Sequence, residues 1–160
     1  MSDYYKKKLQ QGLEYQDFVF DQFRHMDGMP IFLGAYSSQK YQYEKGESPS
    51  GIEIKYDSQI KKYQSIFIEI AEKSDASLPN YTPSGVMRDD NTWLYLVGDY
   101  EQAFIFPKRK LQVVCNPDNP YIDFKEIATA RGYSFPLDYI ERESLCAKHV
   151  VFDQETKLGS

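Results

Sequence analysis

The segment Gly51-Ile-Glu-Ile-Lys-Tyr-Asp57 constrains this chain more than any other, because apolar and polar residues alternate through it without a break. A period of two belongs to a β-strand, and it predicts Ile52, Ile54 and Tyr56 on one face with Glu53, Lys55 and Asp57 on the other. Ile and Tyr suit a half-buried strand, whereas charges aligned on its second face repel one another unless solvent or a cation screens them. Glu47 lies just upstream, so acids stand on both sides of a single ammonium. The ordinary explanation is the wet face of an antiparallel strand. A bound divalent cation is the explanation that gives the acids a chemical role.

A second apolar run, Ser65 to Ala71, predicts another strand with Ile66, Ile68 and Ile70 on one side. The polar connection Ser58-Gln-Ile-Lys-Lys62 is short and able to turn the chain. Antiparallel pairing of the two strands across it sets Glu69 near Glu53. Carboxylates facing each other destabilise an ordinary sheet, so their recurrence on adjacent strands favours a metal site.

These residues resemble a known family. Glu47 followed by Glu53-Ile-Lys55 is similar to the signature of the PD-(D/E)XK nucleases, in which an acid precedes a Glu-x-Lys or Asp-x-Lys strand by a variable gap. Mismatch-repair strand-nicking enzymes and several type II restriction enzymes carry a similarly short gap. No Pro-Asp pair precedes Glu53, which departs from the commonest form. Asp57 and Glu69 therefore compete with Glu47 for the first acid, and Lys73 competes with Lys55 for the base. A wider likeness to small bacterial and phage proteins of this type covers residues 47 to 106, through Gly-Ile-Glu-Ile-Lys-Tyr-Asp, Phe-Ile-Glu-Ile-Ala-Glu-Lys and Asp-Asp-Asn-Thr-Trp-Leu-Tyr.

The resemblance implies a restriction endonuclease-like α/β fold, a mixed central sheet flanked by helices, spanning residues 1–160 as a single domain. It also implies a divalent-metal-dependent DNA endonuclease using Mg2+, with Mn2+ as substitute. Phosphodiester hydrolysis needs a metal on hard oxygen ligands that keeps water in its shell and touches the phosphate. Glu47, Glu53, Asp57 and Glu69 are the candidate metal ligands. Glu47, Glu53 and Lys55 are the candidate catalytic residues, Lys55 acting on the attacking water or on developing negative charge. Glu14, on a predicted first helix, occupies the place where many such nucleases carry an accessory acid, although an exposed helical Glu is the simpler account. A chain with one such site cuts both strands as a homodimer or by two successive nicks. A catalytically silent nucleic-acid-binding or protein-interaction module of the same fold is the alternative.

Composition is compatible with that reading. The chain has 160 residues, 41% of them hydrophobic, enough for one sizeable core. No repeat, secretory signal or membrane-length apolar run is present, which predicts a cytoplasmic protein with no membrane partner. The formal net charge of -5 describes solubility, whereas DNA binding needs a local basic footprint. Lys6 to Lys8, Lys61-Lys62 and Lys108-Arg109-Lys110 are the candidate patches, the last foremost because it ends an apolar strand. Arg88 is a candidate phosphate contact, with pairing to Asp89 or Asp90 as its competitor. Cys115, Cys146, His25 and His149 lack zinc-ligand spacing.

Elsewhere the pattern predicts an amphipathic helix over Tyr4–Met26, burying Leu9, Leu13, Phe18, Phe20 and Phe23. Strands are expected at Ile31–Tyr36, Thr92–Val97 and Gln102–Phe106, the last two joined as a hairpin through Gly98-Asp-Tyr-Glu. Lys108 to Val114 reads as helix, and Tyr121 to Glu143 as further helix broken at Gly132 and Pro136. Residues 74–91 form a long ordered loop, Tyr81 is a candidate stacking residue, and Trp93 is expected in the core.

Overall fold

The computed structural model describes residues 3–24, Met26 and 50–152. The predicted strand Ile31–Tyr36, His25 and Glu47 lie outside the described residues. Helix α1 (Asp3–Arg24) opens the chain with an acid in its first turn, where the helix dipole favours negative charge. Tyr15, Val19 and Phe23, spaced by four, form its buried stripe. Leu9 and Leu13, expected in the core, are 37% and 43% exposed, because the stripe meets the sheet only from Tyr15 onward.

Two four-stranded sheets follow. The first has the order β1-β4-β5-β8, built from β1 (Ile52–Tyr56), β4 (Leu94–Gly98), β5 (Gln102–Pro107) and β8 (Lys148–Val151). β1 pairs parallel with β4 and the other pairs are antiparallel, so this sheet is mixed. The β4-β5 hairpin forms as predicted, its turn held by Asp99 Oδ1, which accepts the N–H groups of Glu101 and Gln102 at 2.8 and 2.9 Å. The second sheet has the order β3-β2-β7-β6, from β2 (Ser65–Glu72), β3 (Thr82–Pro83), β6 (Asp123–Ile127) and β7 (Ala130–Pro136).

Two expectations are overturned here. β1 and β2 do not pair: helix α2 (Ile60–Tyr63) intervenes, Ile60 is buried, and Gln64 takes a left-handed conformation (φ 52°) that redirects the chain into the second sheet. Residues 123–136, read as helix, form an antiparallel hairpin turning through Ala128 (φ 53°). β2 stabilises β7 in that state by pairing along its length, placing Tyr133 and Phe135 beside Ile68 and Ile66.

The first sheet has a core on each face. Ile52, Ile54, Leu96 and Ile105 pack with α1. Tyr95, Val97, Phe104 and Phe106 face the opposite way, into a cluster shared with Ile66, Ile68, Tyr133 and Phe135 of the second sheet. Helix α3 (Lys108–Val114), with the predicted boundaries, and helix α4 (Leu137–Arg142) contribute Leu111 and Ile140 to that cluster. Each such side chain adds about 1.5–3 kcal/mol by leaving water. No helix among the described residues is long and apolar enough to cross a membrane.

Candidate active site

β1 places Glu53 and Lys55 on one face, as the alternation requires, and beside Tyr95 and Val97 of β4. That face is turned into the shared cluster, so Glu53 is only 5% exposed. Its Oε1 lies 3.0 Å from Lys55 Nζ, and its Oε2 is buried with no hydrogen-bond partner among the described residues. A buried acceptor left unmatched is costly and calls for a donor or a cation.

Glu69 comes from the other sheet, yet it lies within electrostatic reach of this pair. Its Oε2 accepts a 2.9 Å hydrogen bond from Ser84 Oγ. Burial pushes the Glu69 carboxyl above the usual carboxylate range; Lys55 opposes that rise, while Glu72 and Glu53 add to it. The charges of β1 are therefore felt at Glu69, although the strands share no ladder. Asp57 makes the junction. Its Oδ1 accepts the Gln59 N–H at 2.9 Å and its Oδ2 the Phe67 N–H at 3.1 Å, tying the end of β1 to the open edge of β2. Both Asp57 oxygens thus serve the turn.

The segment after β3 closes over Glu69. Gly85, in the left-handed region at φ +54°, opens a short 3-10 turn (Gly85–Met87), and a Cβ there would stand 2.2 Å from the Glu69 carbonyl oxygen. Only glycine fits so close to that backbone. From the far side, Gln112 Nε2 donates to Val86 O at 2.8 Å, and Lys108 Nζ donates to Arg88 O at 2.6 Å.

Lys108 is a correction. The ammonium expected at a phosphate is inside the protein, 4% exposed, and also bonds Asp90 Oδ1 at 2.9 Å. Burial raises Asp90, but hydrogen bonds from Lys108 and the Thr92 N–H outweigh it and hold the carboxyl below the usual range. Arg88 Nε lies 3.7 Å from Asp90 Oδ2, the competing arrangement weighed for it. Arg109 and Lys110 are exposed, and Lys110 Nζ donates to Ser144 O at 2.6 Å.

The remaining candidates lie apart from the pair. Lys73 Nζ donates to Leu78 O at 3.1 Å and sits over the Tyr81 ring, whose nearer neighbour is the Arg131 guanidinium at 3.8 Å. Lys61 bridges Glu101 at 3.3 Å, Lys6 to Lys8 are exposed on α1, and Glu14 is exposed and accepts from Gln10. Both cysteines are free, and burial pushes the Cys115 thiol up to about 12. His149 stacks on Phe104 at 4.3 Å.

Among the described residues no group of three or more His, Cys, Asp or Glu is disposed to hold a metal ion. The orphaned Glu53 Oε2 and the Glu69 carboxyl are nevertheless hard oxygen donors, and Mg2+ commonly takes one or two carboxylates plus water and substrate phosphate. Their chemistry, two carboxylates from adjacent sheets, is of the kind such an ion takes. Ser84 and the Asp90–Lys108 pair escaped sequence reasoning; the only signal for the first was the Pro-Ser-Gly run at 83–85. No family model, curated protein or solved structure matches this chain.

Proposed function

We propose that the chain is a divalent-metal-dependent DNA endonuclease of restriction endonuclease-like fold, acting in the cytoplasm and cutting both strands as a homodimer or by successive nicks. One observation carries the reading: a buried Glu53 Oε2 without a hydrogen-bond partner among the described residues, on a carboxylate whose Oε1 lies 3.0 Å from Lys55 Nζ, with the Glu69 carboxyl in electrostatic reach. Magnesium bound by these carboxylates would supply a Lewis acid for the phosphate and a more acidic water. Lys55, its side chain 43% exposed, is open to substrate and stabilises negative charge as it develops on the phosphate. Ser84 fixes the rotamer of Glu69, and Asp57 fixes the distance between the strands. Glu47 remains the third candidate ligand.

The test is incubation of the purified protein with supercoiled plasmid, linear duplexes and junctions under magnesium, manganese or calcium. Magnesium and manganese are expected to support cleavage, with calcium binding but not turning over. Glu53→Ala should lose metal binding and cleavage together, whereas Lys55→Ala should lose cleavage and keep much of its DNA affinity. Full activity in Lys55→Ala would move the role to Lys73. A silent interaction module is the second reading, favoured by the Lys55 ammonium already offsetting the Glu53 charge. Absence of nicking on every substrate with both activating ions would decide for it.

A further inference from the structure

Trp93 is the only tryptophan in the chain. Expected in the core, it is 61% exposed, whereas an indole ordinarily buries most of its area. It is also fixed in place. Its Nε1 donates to Ser50 O at 2.8 Å, its backbone N–H donates to Gly51 O at 2.8 Å, and its carbonyl accepts the Lys108 N–H at 2.9 Å. Gly51 stands at φ +73°, and a Cβ there would lie 2.6 Å from Trp93 Cδ1, so the glycine leaves the space the indole occupies.

The position relates this ring to the candidate acids. Glu53 is two residues beyond Gly51 on β1, about 7 Å along the strand. On the other side Lys108 leads directly to the exposed Arg109. An open aromatic face, a guanidinium and a buried carboxylate therefore gather at the same end of β1 and β4. These are the parts a nucleotide asks for: a π-face for the base and a cation for its phosphate.

We propose that Trp93 is a stacking platform for an unpaired nucleobase, with Arg109 at the neighbouring phosphate. The inference rests on the nuclease reading and narrows its substrate to DNA with an unstacked base beside the cut, as in a single strand, flap or junction. A base inside a duplex already has neighbours on both faces, so a fixed indole has no face to meet without extruding it.

The lone tryptophan reports on itself. Full-length protein in calcium would be titrated with an oligothymidylate and with a blunt duplex of equal length, following indole emission alongside anisotropy of labelled DNA. The single strand should quench the indole saturably and the duplex should quench it far less. Trp93→Ala, checked for folding by circular dichroism, should bind the single strand about tenfold more weakly or worse, and Trp93→Phe should recover most of that loss. DNA bound with unchanged emission, and with wild-type affinity in Trp93→Ala, would overturn the platform while leaving the nuclease reading intact. Binding and quenching in calcium, with no cleavage of the same DNA in magnesium or manganese, would keep the platform and remove only the catalytic reading. Failure to bind any DNA would overturn both. A concentration-dependent blue shift of the free protein, absent DNA, would assign the indole to a contact between copies and would also overturn the platform.

Discussion

Burial and the Lys55 ammonium act in opposite directions on Glu69: burial, with the Glu72 and Glu53 charges, raises the carboxyl, and Lys55 pulls it back. With its folded pKa above the unfolded value, the stability associated with Glu69 is fully present below the unfolded carboxylate pKa. It is lost as pH rises through the folded pKa. Glu69→Gln, which keeps an acceptor for Ser84, should therefore gain on wild type across that window and hold the gain at higher pH. Urea midpoints of the two proteins over a pH series measure this; a gain that shrinks as pH rises would mean that Lys55 dominates. Glu53 and Lys55 were legible in the sequence because a two-residue period fixes faces without reference to the rest of the fold. The exposure of Trp93 and the burial of Lys108 were not, since each depends on what the tertiary structure brings alongside. Trp93 precedes its strand and Lys108 opens a helix, and neither position reveals which neighbour will cover it.

At the level of elements, α3 and the β4-β5 hairpin were readable because their boundaries are local: Pro107 precedes the helix, and Asp99 holds the turn. The β6-β7 hairpin was not. Its Lys, Glu, Ala and Arg content favours helix, and only pairing with β2, distant in sequence, overrides that preference. α3 and the segment leading out of the 3-10 turn are joined by a buried ion pair, with Asp90 and Lys108 side chains only 1% and 6% exposed. Lys108→Met should destabilise the protein by about 3–5 kcal/mol, because it leaves a buried carboxylate with only the longer Arg88 contact at 3.7 Å to offset its charge. Adding Asp90→Asn, which can still accept from the Thr92 N–H, should return a large part of that loss. Denaturant unfolding of the single and double variants checks this, and equal stabilities would show that the pair is not coupled. Salt should matter little to the difference, since a buried pair is poorly screened.

Across the whole molecule, the formal charge of -5 leaves DNA binding to local cations. With Lys108 inside and Lys61 bridged, the proposed DNA contact on the α3 side falls to the exposed Arg109 and Lys110. Arg109→Ala with Lys110→Ala should weaken binding about equally for all sequences. It should also lower the slope of log affinity against log salt by about one for each phosphate that is no longer neutralised. Anisotropy at several salt concentrations in calcium measures it, and an unchanged slope would place the DNA elsewhere. The two-sheet arrangement was the least legible level, since β1 joins β4 rather than its neighbour β2 and so depends on long-range pairing. The packing around α1 extends that dependence to synthesis. Tyr15, Val19 and Phe23 share their cluster with Val150 and Phe152, and the Phe18 and Phe152 rings meet at 4.9 Å. The helix leaves the ribosome long before its partners in and beside β8. Until they follow, the stripe is covered only by β1, β4 and β5, and its Phe18 and Phe23 rings, which meet Phe152, stay open to chaperones; truncation ahead of Val150 would leave that end of the helix permanently bare.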